Sequence, residues 1–256
     1  MSNVITLYDI PAASIKDRAW SPNTWKARFA LNIKGIPYKT VWLEYTEIEP
    51  ALLKLGAKAT DTKPDGRPHY TLPVIHDPST NAVVSDSYAI AEYLDAQYPD
   101  TIPLFPKGSA ALQAGFVRAL QDLALSNVWV ILLPATHDRL NPGELSQDYF
   151  RRTREARFGK TLEELCPEGK ERKETWGLVR RGWSLVDGWF KKNRDGEGDF
   201  VIGKEVTFVD VFIVSFLLWF KLILGEDSEA WKSVLTWDEG RWGKMLEAFE
   251  KWQVVV

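Results

Sequence analysis

Residues 99 to 108 read PDTIPLFPKG, with three prolines and a glycine in ten positions. Proline lacks a backbone N–H and fixes φ, so neither a helix nor a central strand runs through such a stretch. The segment reads as a linker, and the patterns on its two sides differ. Before it, β-rich runs alternate with helical runs; after it, only helical periodicity remains. A chain patterned this way folds as an α/β domain over residues 1–98 and an all-α domain over residues 109–256. Its 256 residues are ample for two modest cores.

The first part reads β-α-β-α-β-β-α. Val4 to Tyr8 forms a strand that Pro11 ends. Trp25, Phe29, Ala30 and Ile33 recur at helical spacing, and Gly35 closes that helix. Tyr38 to Glu44 alternates as a strand, Thr46 to Leu55 as a short helix, and 57–68 as a polar loop. YTLPVIH (70–76) and AVV (82–84) are further strands around the turn DPSTN, and a helix runs from Ser87 to Gln97. The second part carries helices over 109–133, 145–165, 168–192, 207–224 and 239–252.

Composition excludes several classes. A net charge of −3 with no basic tail gives no footprint for nucleic acid. The one cysteine, Cys166, allows no intrachain disulfide and no CxxC redox pair, and before Pro167 it reads as a packing residue. MSNVITLYDI is no secretory signal and no N-glycosylation sequon occurs, so a cytoplasmic protein is expected. The apolar run 208–224 is long enough to span a membrane but holds Asp210, Ser215 and Lys221, which favours a buried core helix. His69, His76 and His137 show neither metal nor triad spacing, so no metal is expected. Twelve tryptophans fit a Trp-rich interior or aromatic walls around a ligand.

Three local motifs carry chemistry. In WSPNTWKARFAL, Ser21 is a favoured N-cap, Pro22 a favoured first helical residue, and Trp20 can staple onto Trp25. Pro73 is out of place inside a strand. Either Leu72–Pro73 is cis and turns the backbone of Val74 outward, or a trans proline lies on an edge. In VSDSYAIAEYL, Asp86 and Ser87 precede a helix; they suit the ammonium and carboxylate ends of an amino acid, or simply cap the helix.

In this order and spacing, LPVI, SDSYAIAEYL, the proline linker, the helical second part and FVIGKEVTFVDVFI resemble a cytosolic glutathione transferase over nearly the whole chain. In the last stretch Thr207 and Asp210 form a capping box, read as stabilising only. SPNTWKARFALNIKGIPY is similar to the fungal-specific A class, itself similar to bacterial β-etherases. The resemblance implies a thioredoxin-like N-terminal domain that binds glutathione as co-substrate. It places Ser21 near the thiol, Leu72, Pro73 and Val74 along the cysteinyl backbone, and Asp86 with Ser87 at the γ-glutamyl end. Lys39, Lys63 and His69 stay open for the glycyl end. It also implies a homodimer and a site between the domains for small hydrophobic or aromatic molecules, near Trp20, Trp25, Phe116, Leu120, Leu123, Asn127 and Trp129. No nucleic-acid or membrane partner is expected.

The serine would then stabilise a thiolate. Lowering a free thiol pKa of roughly 8.5 by about two units takes roughly 2.7 kcal/mol. One hydrogen bond to a charged group contributes about 1.5–3 kcal/mol and a helix N-terminus about 0.3–1. Asn23 is a second candidate donor, taking over if the Ser21 hydroxyl turns into the first turn, and Tyr8 is a third. Without a cysteine at position 21, thiol reduction through a mixed disulfide is not expected. The same thiolate serves conjugation, peroxide reduction or aryl-ether cleavage. The alternatives are a non-catalytic binding protein for aromatic molecules and, on fold analogy, a docking module.

Overall fold

A computed structural model describes residues 4–63, 65–143, 145–193 and 198–256. The chain forms two compact units. One comprises Met1–Leu104 with Leu140–Tyr149 and Lys251–Val256, the other Phe105–Arg139 with Phe150–Glu250.

In chain order the first unit holds β1 (Ile5–Asp9), α1 (Pro22–Ile33), β2 (Tyr38–Trp42), α2 (Tyr45–Leu55), β3 (Asp61–Thr62), β4 (Pro68–His69), β5 (Val74–Asp77), β6 (Ala82–Ser85) and α3 (Ser87–Gln97). The main sheet has the order β2-β1-β5-β6. β1 and β2 are parallel, so their connection needs a crossover, and α1 supplies it. β5 runs antiparallel to both β1 and β6. This βαβ unit followed by an antiparallel hairpin is thioredoxin-like. Ile5 and Leu7 of β1 and Val74 and Ile75 of β5 are buried, with Ala27, Phe29, Ala30 and Ile33 of α1 in the same core. Gly35, at φ 64°, lets the chain leave α1 in the left-handed region.

Two readings of this region change. β5 begins at Val74 rather than Tyr70. Pro73 has no N–H for the ladder, so the residues before it stay outside the strand. The polar stretch 57–68 is not all loop, because β3 pairs antiparallel with β4 within and just beyond it. The segment at 140–149 adds to this unit. The Glu44 carboxylate accepts from Asn141 Nδ2 and from the Ser146 hydroxyl, and Tyr45 stacks on Tyr149 with centroids 5.3 Å apart.

The second unit contains α4 (Ala110–Leu120), a π turn at Gln121–Leu125, α5 (Val128–Arg139), α6 (Gln147–Phe158, of which 150–158 lie here), α7 (Leu162–Leu165), α8 (Lys170–Phe190), α9 (Phe208–Leu224), α10 (Glu229–Thr236) and α11 (Arg241–Ala248). The helix expected over 109–133 bends by 77° between Leu125 and Val128. The one expected over 145–165 is broken at Gly159, which stands at φ 66°. α10 lies between the expected helices, and α11 stops at Ala248 before a short 3₁₀ turn. At Gly182 of α8 an added Cβ would sit 2.1 Å from the Leu123 carbonyl oxygen, so glycine there permits the close approach of α8 to the π turn.

α9 is buried along almost its whole length. Among the described residues no single helix is long and apolar enough to cross a membrane. The Thr207 N–H and hydroxyl both donate to Asp210 Oδ2, at 2.8 and 2.7 Å, and Val201 N–H donates to Oδ1 at 2.9 Å. Burial still raises the Asp210 carboxyl to about 6, against those hydrogen bonds. The box anchors the start of α9.

Candidate active site

Ser21 is the N-cap of α1, in extended conformation at φ −70° and ψ 126°. Its Oγ accepts from the Asn23 N–H at 3.3 Å, and its carbonyl accepts from the Thr24 hydroxyl at 3.1 Å and the Trp25 N–H at 3.0 Å. The capping reading therefore holds. A hydroxyl carries two lone pairs and one proton. Capping uses a lone pair, and among the described residues the Ser21 proton has no acceptor. The side chain thus joins the first turn, the arrangement that brings Asn23 forward as a donor, while its own proton stays available.

The residues behind the cap are set by α1. Asn23 is half-buried, and its Oδ1 accepts from Lys26 Nζ at 3.0 Å. Lys26 is 6% exposed; burial pushes its ammonium down to about 8, while the Asp86 carboxylate pulls it upward. Arg28 is fully buried against Asp9, with Nη2 2.7 Å from Oδ2. Its Nη1 donates to the Tyr38 hydroxyl and to Thr40 Oγ1, both at 3.1 Å. The rings of Trp25, Tyr38 and Trp42 lie 5.5–5.6 Å from its guanidinium carbon. This cluster joins α1 to β1 and β2.

The second motif lies along the sheet. Leu72–Pro73 is cis. Val74 opens β5 with Tyr8 opposite it on β1 and Ser85 opposite it on β6. Both sides of β5 are occupied, and the Asp86 N–H donates to the Pro73 carbonyl at 3.4 Å. Asp86 follows Ser85 at φ 80° and ψ 134°, outside the left-handed well that Asp tolerates. Such strain costs about 1–3 kcal/mol and gathers at functional sites. Asp86 Oδ1 accepts from the Tyr88 and Ala89 N–H groups at 2.8 and 3.1 Å, so it caps α3. Its other oxygen accepts no bond among the described residues. Ser87 is buried at the first position of α3.

The aromatic candidates divide. Trp20 is buried, and its indole N–H has no partner among the described residues. Trp25 is committed to packing: it lies against Phe29 with centroids 4.9 Å apart and donates from Nε1 to the Ala19 carbonyl at 3.2 Å. In the helical unit Phe116 meets the edges of Trp189 and Phe190, and Trp129 packs on Phe216 and Trp219. Leu120 is buried, Asn127 half-buried and Leu123 exposed. Burial raises the hydroxyl pKa of Tyr8. Of the glycyl-end candidates, Lys39 is exposed, Lys63 pairs with Glu49 at 2.5 Å and His69 lies in β4. Cys166 is buried at the end of α7.

The sequence does not mark Lys26, Arg28 and Asp9 as buried charges. The signal for Lys26 was its spacing three residues after Asn23, which puts both on one helical face. Arg28 gives no local signal, because its acidic partner lies nineteen positions away on β1.

Comparison with known proteins is consistent across the chain. Residues 20–97 match the family model for the glutathione S-transferase N-terminal domain, and residues 111–252 match the one for its C-terminal domain. The chain is 32% identical to the glutathione S-transferase-like protein ustS of Aspergillus flavus, over 92% of this chain and 85% of that one. Among solved structures, a glutathione S-transferase of Ceriporiopsis subvermispora in complex with glutathione is 46% identical, covers 99% of both chains and has a TM-score of 0.94. The glutathione transferase GSTFuA3 of Phanerochaete chrysosporium is 42% identical, covers 99% of this chain and 98% of its own, and has a TM-score of 0.93.

Proposed function

Because the chain belongs to the glutathione S-transferase family, with glutathione as co-substrate, we propose that it activates the glutathione thiol at the N-terminus of α1 through the Ser21 hydroxyl. One observation carries this reading. Ser21 caps the helix through an oxygen lone pair and retains its proton, so a sulfur at that end meets a hydroxyl donor and the positive end of the helix together. Asn23 supplies a second donor through its carboxamide Nδ2. Asp86 holds the γ-glutamyl ammonium with the oxygen it does not use for capping, Ser87 holds the adjoining carboxylate, and the leading end of β5 at Leu72, Pro73 and Val74 receives the cysteinyl backbone.

The thiol releases its proton to water and the thiolate sulfur attacks an electrophilic carbon. A carbon–sulfur bond forms, and the leaving group departs with the electron pair of the broken bond. Hydrophobic and aromatic electrophiles suit the site, with Trp20 as an aromatic contact. Fungal structures at 42–46% identity support placing the chain in the fungal class that its SPNTWKARFALNIKGIPY stretch resembles. We place the enzyme in the cytosol as a homodimer.

The test is product analysis with glutathione and three electrophiles: an aryl halide, an organic hydroperoxide and a β-aryl ether. A glutathione conjugate, an alcohol or a cleaved phenol, respectively, identifies the reaction. Tight binding of the aromatics with no product from any of them would favour the alternative, a binding protein without turnover.

A further inference from the structure

Asn23 presents a carboxamide whose two ends have opposite character. Its nitrogen donates two hydrogen bonds and its oxygen only accepts, so one orientation stabilises a nearby thiolate and the other repels it. In the structure Asn23 Oδ1 receives a hydrogen bond from Lys26 Nζ at 3.0 Å. An ammonium donates and never accepts, which fixes the oxygen toward the lysine and leaves Nδ2 facing the other way. The Asn23 backbone N–H in turn reaches Ser21 Oγ at 3.3 Å. Lys26, Asn23 and Ser21 thus form a chain that ends at the hydroxyl offered to sulfur.

We infer that Lys26 is a positioning residue for thiol activation: it locks the Asn23 carboxamide with its donors toward the sulfur and sets a buried positive charge behind the N-terminus of α1. The inference rests on the reading that the sulfur binds at that helix end. Burying a lysine is costly, and here burial lowers its pKa to about 8. In a low-dielectric setting the same charge acts on a nearby anion more strongly than it would in water. Asp86, whose carboxylate favours the charged lysine, couples this charge to the γ-glutamyl end. Formation of the thiolate is therefore tied to the γ-glutamyl end of the glutathione site.

The experiment titrates the ultraviolet thiolate signal of glutathione-loaded protein against pH and measures glutathione affinity. The chains compared are wild type, Ser21→Ala, Asn23→Ala, Lys26→Met, Lys26→Arg and the Lys26→Met/Asn23→Ala double variant. We expect Lys26→Met to move the thiolate midpoint up by about one pH unit, a roughly tenfold loss of thiolate at acidic pH, with affinity changed less than about threefold. Lys26→Arg, which keeps charge and donor, should restore most of the signal. The double variant should shift no further than the larger single one, since the two residues act in series. An unmoved midpoint in Lys26→Met, beside a shifted one in Ser21→Ala, would overturn the role of Lys26 and leave the site reading intact. Additive shifts would also overturn it, because Lys26 would then act without Asn23. Glutathione bound with no shift in either Ser21→Ala or Asn23→Ala would instead overturn the site reading beneath it. If Lys26→Met fails to fold, Lys26→Leu, which likewise removes both the donor and the charge, answers the same question.

Discussion

The backbone N–H of Asn23 points at Ser21 Oγ across 3.3 Å, so the serine serves the helix as an acceptor and, in the proposed mechanism, the ligand as a donor. Capping and catalysis compete only when both need the same atom in the same role. Here they divide the hydroxyl between a lone pair and a proton. On the proposed mechanism, replacing Ser21 should have two separable effects, on stability and on the thiolate.

Asp86 divides its carboxylate in a similar way, with one oxygen on the α3 N–H groups and the other assigned to the ammonium of glutathione. Its φ of 80° suits glycine better than aspartate. Asp86→Gly should change stability by less than about 0.5 kcal/mol, since glycine is a tolerated cap and relieves the backbone. Glutathione affinity should fall roughly 10- to 100-fold with the loss of a charged hydrogen bond of about 1.5–3 kcal/mol. Urea unfolding and calorimetric titration measure the two; equal affinity in the variant would remove Asp86 from the site.

The Asp9–Arg28 pair is fully buried, so breaking it leaves a charge without a partner. Asp9→Ala should destabilise the protein by about 3–5 kcal/mol. Replacing both residues by apolar ones of similar volume should cost less than the single change. Denaturant midpoints of wild type, the two single variants and the double variant test this, and a double variant as unstable as the sum of its singles would mean that the two groups are independent.

Lys26 makes stability depend on pH in a defined direction. Its ammonium titrates near 8 in the folded chain and near the ordinary 10.5 once unfolded. Between those values the unfolded chain carries the extra proton, so stability rises with pH. The difference between 10.5 and about 8 corresponds to about 3 kcal/mol. Relative to Lys26→Met, wild type should therefore gain up to about that amount as pH rises from 8 to 10.5, and show no such gain between pH 6 and 7.5. Urea unfolding of both chains at these pH values reads it out; parallel curves would mean that Lys26 is not desolvated.

Features with a local cause were legible in the sequence. The Ser21 cap with Pro22, the exit at Gly35, the helix at Ser87–Gln97 and the Thr207–Asp210 box each depend on a few neighbouring residues. The 77° bend between Leu125 and Val128 was not legible, because no proline or glycine marks it and the run on both sides keeps a helical pattern. The hairpin of β3 and β4 pairs only two residues a side, too few for alternation to register. The burial of Lys26 and Arg28 has no local cause. What buries them is Asp9 on β1 and Asp86 before α3, partners that only the fold brings near.

The measurement that tests the central claim most directly is the ultraviolet difference titration of bound glutathione in wild type and Ser21→Ala. The account predicts a thiolate in wild type with a midpoint about two pH units below free glutathione, and a rise of one unit or more in the variant. The variant should also lose about 1 kcal/mol of stability from the missing cap. A midpoint that stays put in Ser21→Ala while glutathione remains bound would contradict the account.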